Sequence, residues 1–107
     1  MSPSDWKSQR ASKNEARKKI SDTMTTRPGN VSFSKHAEQE LIKDGLTTAD
    51  ALNVLTSPTA KILNDGEEER GSYRYRLETG NLLIVVAFSE DGLNLTVVTA
   101  WDKRKKG

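Results

Sequence analysis

Hydrophobic positions change their period near the middle of the chain. Before residue 58 they recur with helical spacing; after it they alternate or run together as in strands. Ala37, Leu41 and Ile42 put an apolar stripe on a helix predicted over residues 35–43. Ser34 is its N-cap candidate, and Gly45 suits the left-handed position past its end, with Leu46 in reach of Leu41 as in a Schellman ending. Thr47, followed three residues later by Asp50, resembles a capping box and opens a second helix. Ala51, Leu52, Val54 and Leu55 pack that helix, and Ser57-Pro58 stops it.

The second half reads as four strands. Ala60 to Asn64 is short. Ser72 to Glu78 (SYRYRLE) alternates, Leu82 to Phe88 (LLIVVAF) is apolar on both faces and therefore central, and Leu95 to Trp101 (LTVVTAW) is β-branched. The separators, Asp65-Gly66 through Gly71, Gly80-Asn81 and Asp91-Gly92, have hairpin chemistry. The fold class is α+β, with two short helices followed by a four-stranded antiparallel meander that carries them on one face. An extra N-terminal helix is predicted over residues 4–22, capped by Ser4 or Asp5. Trp6, Ala16, Ile20 and Met24 fall loosely on one stripe of it, with Trp6 as the one large anchor. Thr25 to Asn30, with Pro28-Gly29, reads as a linker.

Charge divides the chain in the same way. The net charge is only +2, but residues 1–30 hold seven basic and three acidic side chains, residues 31–102 six and twelve, and residues 103–107 four and none. An acidic domain over 31–102 thus lies between a basic helical segment (1–30) and a basic tail (103–107). Basic ends suit a polyanionic partner, because each neutralised phosphate releases counterions; they also simply keep terminal segments solvated. With 34% apolar and 30% charged residues, a core is affordable only if part of the chain stays outside it.

Several classes are excluded. The chain has no cysteine and one histidine, so disulfide frameworks, thiolate zinc sites and histidine-rich metal clusters cannot form. No phosphate-loop or dinucleotide fingerprint is present, and no cofactor is expected. The longest apolar run, Leu82 to Phe88, is far short of the ~20 residues that span a bilayer. The polar N-terminus has no secretion signal, so the expected setting is cytoplasmic, without membrane contact.

Candidate chemistry is sparse. On SYRYRLE, Tyr73, Tyr75 and Leu77 point one way and should meet the helices; Arg74, Arg76 and Glu78 point the other. Alternate strand residues are about 7 Å apart, close to the spacing of adjacent phosphates. The two arginines either meet a polyanion or pair with Glu78 and the Glu67-Glu68-Glu69 run, which is placed in a hairpin loop. Trp101 directly precedes Asp102 and Lys103-Arg104-Lys105-Lys106. An aromatic beside a basic run can stack a base and hold its backbone, or the ring can close the edge of the core. His36, in the first turn of its helix, is either a general base near neutral pH or a solvent-facing residue.

Together, Phe33-Ser34-Lys35-His36-Ala37, Lys43-Asp44-Gly45-Leu46-Thr47, Gly71-Ser72-Tyr73-Arg74-Tyr75-Arg76 and Val97-Val98-Thr99-Ala100-Trp101 resemble the RelE-like toxin superfamily of small bacterial proteins, nearest its MqsR-like and BrnT-like branches. The resemblance covers residues 31–102. It implies the toxin of a type II toxin–antitoxin pair: a metal-independent endoribonuclease acting on messenger RNA, free or on the ribosome, and blocked by a cognate antitoxin protein. Carried over, His36 matches the histidine of the helix-start motif, Arg76 (or Arg74) the basic position of the second strand, and Tyr75 a helper. Many relatives carry arginine where this chain has Glu40 and Asp44.

Metal-free RNA cleavage uses the ribose 2′-hydroxyl as nucleophile. It needs a base, a cation for the phosphorane charge and an acid for the leaving oxygen. The expected assignment is His36 as base or acid and Arg76 or Arg74 as charge stabiliser, with Tyr75 or Lys61 completing the proton relay. Lys35, Lys61, Trp101, Lys103 and Arg104 are the expected RNA-binding residues. The alternative is a non-catalytic module that binds RNA or protein.

Overall fold

A computed structural model of the chain describes residues 12–57, 59–64, 66–69, 72–89 and 93–103. The first helix, α1 (Lys13–Thr26), starts at a capping box: the Glu15 N–H donates to Ser12 Oγ at 3.3 Å and the Ser12 N–H to Glu15 Oε1 at 3.0 Å. It ends where Pro28 disfavours helical geometry at Arg27, whose φ and ψ are −138° and 54°, and a 3₁₀ turn over Pro28–Asn30 follows. The predicted linker therefore begins as helix. The proposed caps Ser4 and Asp5 and the anchor Trp6 lie outside the described residues.

Three residues of strand, β1 (Val31–Phe33), lead into α2 (Lys35–Lys43). Ser34 caps α2, its Oγ accepting from the Ala37 N–H at 3.0 Å. At the other end Gly45 has a φ of 73°. The Leu46 N–H reaches the Leu41 carbonyl at 2.7 Å and the Gly45 N–H the Ile42 carbonyl at 3.0 Å, the two bonds of a Schellman ending. Next, α3 (Thr48–Thr56) opens on the Thr47–Asp50 capping box. The strands that follow are β2 (Lys61–Ile62), β3 (Glu67–Glu69), β4 (Ser72–Glu78), β5 (Leu82–Phe88) and β6 (Leu95–Asp102).

The sheet has six strands in the order β1-β6-β5-β4-β2, with β3 also on β4. The coarse α+β class holds, but the sheet is a mixed one of six strands rather than the four-stranded antiparallel meander expected. β1 joins β6 in parallel, pairing Val31 with Leu95 and Phe33 with Val97. β3, expected as loop, pairs Glu67 with Arg74 and Glu68 with Tyr73. A strand of consecutive glutamates has no apolar alternation to announce it, and it is tolerated because it is an edge strand with water on its open side.

All three helices pack on one face of this sheet. Ala16 and Ile20 of α1, Ala37 and Leu41 of α2, and Ala51, Val54 and Leu55 of α3 join Tyr75, Leu77, Ile84, Val86, Leu95, Val97 and Ala100 in one hydrophobic cluster. The N-terminal helix is thus part of the same core as residues 31–102. In β6 the inward positions step from Val97 to Ala100, three residues apart, because a bulge opposite Val85 and Val86 absorbs Val98. Ser34 fastens that bulge, its N–H donating to the Val97 carbonyl and its Oγ to the Val98 carbonyl, both at 2.9 Å. No described helix is long and apolar enough to cross a membrane.

Candidate functional site: the uncovered sheet face

Among the described residues no element covers the second face of the sheet. Its composition follows from register. Arg74, Arg76 and Glu78 of β4 lie opposite Ala87, Val85 and Leu83 of β5, which lie opposite Thr96, Thr99 and Trp101 of β6. Cα partners across a ladder share a face, so this is one surface. The floor of β5 is aliphatic, β4 supplies cations, and Trp101 stands beside Leu83. Lys61 joins through its pairing with Glu78, and Glu67 through its pairing with Arg74. At the far edge Ser32 Oγ lies 3.3 Å from Thr96 Oγ1.

The charges are organised locally. Arg76 Nη2 donates to Glu67 Oε1 at 2.6 Å, with both side chains substantially exposed (43% and 62%). At one end of the face Lys103 Nζ donates to Glu78 Oε2 at 2.7 Å and to the Thr79 carbonyl at 3.3 Å. Lys103 thereby reaches across the end of β5, and its own N–H donates to the Asn81 carbonyl at 2.9 Å. Glu78 and Trp101 accordingly flank Leu83 in register, with Lys61 beyond Glu78 and Lys103 bonded to Glu78.

Asn64 explains how β4 can present two arginines so steadily at an interrupted edge. β2 pairs with Leu77 and Glu78, and β3 with residues 72–74, which leaves a gap at Tyr75 and Arg76. Leu63 fills part of it, its N–H donating to the Arg76 carbonyl at 2.8 Å. The Asn64 side chain fills the rest: Oδ1 accepts from the Arg76 N–H at 2.8 Å, and Nδ2 donates to the Arg74 carbonyl at 2.9 Å. An amide mimics a peptide group here, a role that composition does not signal.

The residues singled out from sequence separate into two groups. Arg74, Arg76, Lys61, Trp101 and Lys103 come together on or beside the uncovered face. His36 and Lys35 do not: both are exposed in the first turn of α2, on the helix-bearing side, while the arginines point away from that side. Tyr75 also leaves the set. It is 1% exposed and packs edge-to-face on Phe88 at 5.7 Å between ring centroids, so its hydroxyl is in the core rather than beside Arg76. Arg104 lies outside the described residues. The ion pairing weighed for the arginines is present at Arg76, with Glu67. Among the described residues no group of three or more histidine or acidic side chains could hold a metal ion.

Residues 33–102 match the family model of a domain of unknown function, DUF4258, and the chain belongs to that family. The match runs from the last residue of β1 to the last of β6, so α1 contributes to the core from outside it. No curated protein and no solved structure matches the chain.

Proposed function

We propose that this protein acts on RNA as the toxin of a type II toxin–antitoxin pair, with the uncovered sheet face as its RNA-binding surface. The observation that carries the reading is that Arg74, Arg76 and Trp101 share that face, with Lys61 and Lys103 at its end. Guanidinium groups recognise phosphate oxygens, and an aromatic ring offers a platform to a base irrespective of its identity. The toxin role itself rests on the resemblance of residues 31–102 described above. In this reading His36 is not the base for 2′-hydroxyl attack, because it lies on the helix-bearing side of the sheet, away from the arginines.

A non-catalytic RNA-binding module is the second reading, favoured by the separation of His36 from the arginines. One experiment distinguishes them. The wild type, His36→Ala and Arg76→Ala are each incubated with messenger RNA, and their induction is compared for growth arrest. The toxin reading expects cleavage and arrest from wild type and His36→Ala, with a loss of at least about 100-fold in Arg76→Ala, the size of an electrostatic transition-state contribution. Binding of RNA without cleavage products supports the module.

A further inference from the structure

The face already holds an anion at Arg76. Glu67 Oε1 sits 2.6 Å from Arg76 Nη2, on a pair of side chains open to solvent. A carboxylate and a phosphate present the same paired oxygens to a guanidinium, so the carboxylate marks where a phosphate would lie. An exposed pair of this kind is held only weakly. The second acid of the face differs: Glu78 is engaged by Lys103, whose ammonium also donates to the Thr79 carbonyl. Arg74 is the next outward residue along β4, about 7 Å from Arg76, near the spacing of successive phosphates in a single strand. Trp101 lies two strands away, about 10 Å across the sheet, beyond the aliphatic Leu83 and Val85.

We infer that Arg76 is the phosphate subsite of a single-stranded nucleotide chain and that Glu67 is its built-in competitor, displaced when the strand binds. The inference rests on the RNA reading above and adds the ligand form and the residue that sets affinity. Phosphates run along Arg76 and Arg74 while a base reaches across the β5 floor to Trp101. A duplex cannot do this, because its bases are already stacked and paired.

The test is binding of the full chain to a fluorescent ten-nucleotide oligouridine, followed by anisotropy at two salt concentrations. Glu67→Gln removes the competing charge and is expected to tighten binding about fivefold, with a steeper salt dependence by about one charge. Glu38→Gln makes the same charge change on exposed α2, on the other side, and is expected to stay within about twofold of wild type. Arg76→Ala is expected to weaken binding about tenfold. Thermal melts show that each variant is folded. If Glu67→Gln binds no tighter than Glu38→Gln while Arg76→Ala still loses affinity, the competitor role falls and the RNA reading stands. If wild type binds no oligouridine, both fall. Equal affinity for a ten-base-pair duplex, or for a polyglutamate peptide of the same charge, also overturns the inference.

Discussion

Asn64 and Arg76 are joined as if they were neighbours in a ladder: the Arg76 N–H donates to Asn64 Oδ1 at 2.8 Å, while Nδ2 of the same amide holds the Arg74 carbonyl. One side chain thus completes the edge of β4 where β2 has ended and β3 has not begun. Asn64→Ala leaves a half-buried N–H and carbonyl without these partners. It is expected to destabilise the fold by about 2 kcal/mol, two net hydrogen bonds. Urea denaturation checks this, and a shift below about 0.5 kcal/mol would show that water replaces the amide without loss. Because the amide also fixes the backbone beneath both arginines, oligonucleotide binding should weaken in the same variant under native conditions.

Much of this fold is written locally in the sequence. The bounds of α2 follow from Ser34 and Gly45, whose hydrogen bonds and φ are properties of a few adjacent residues. The alternation of SYRYRLE gives the two faces of β4, and Tyr75 and Leu77 are buried as that alternation requires. What is not written locally is pairing over distance. β1 is three residues long and finds its partner 64 positions away, at Leu95, which no window of periodicity contains. That pairing carries the chain into α2 and sets the side on which His36 emerges. A helix-start motif and a strand motif therefore look like parts of one centre in sequence and occupy opposite sides in space. Asn64 was equally illegible, since its role exists only once two separate strands compete for one edge.

Ile20 tests whether α1 belongs to the domain. The residue is 2% exposed and lies in the main cluster, although it is outside the segment matched by the family. Arg17 adds a second tie, donating to the Ala60 carbonyl and, at 3.4 Å, to the Ser57 carbonyl. Ile20→Ala is expected to cost about 2–4 kcal/mol through lost burial and the cavity left behind. Unfolding should remain one cooperative transition, whether monitored by far-ultraviolet circular dichroism or by tryptophan fluorescence. Two separated transitions would mean that α1 is an appendage.

Thr23 presents the opposite opportunity. It is 1% exposed, and its Oγ1 is buried with no hydrogen-bond partner among the described residues. A buried hydroxyl in that condition carries its desolvation cost uncompensated. Thr23→Val keeps the β-branched shape and removes the polar atom. The expected gain is about 1 kcal/mol, seen as a higher denaturation midpoint with an unchanged slope. Thr23→Ser keeps the hydroxyl but loses the methyl, and should destabilise.

Glu15 gives the fold a pH signature at the start of α1. Its carboxyl titrates below the ordinary value of 4.5, chiefly because the Ser12 backbone N–H donates to the ionised form, with help from the Ser12 side chain and from the nearby charges of Lys19 and Lys18; desolvation opposes the shift. A carboxyl whose folded value is depressed contributes stability that is fully present above its unfolded value and is lost as pH falls through the folded value. Glu15→Gln keeps the geometry of a capping box but cannot ionise. Wild type should therefore be more stable than Glu15→Gln at pH 6, and the difference should shrink steadily as pH falls below 4.5. Thermal melts of both proteins between these limits check the sign. A difference independent of pH would show that the cap acts through hydrogen-bond geometry alone, with no contribution from charge.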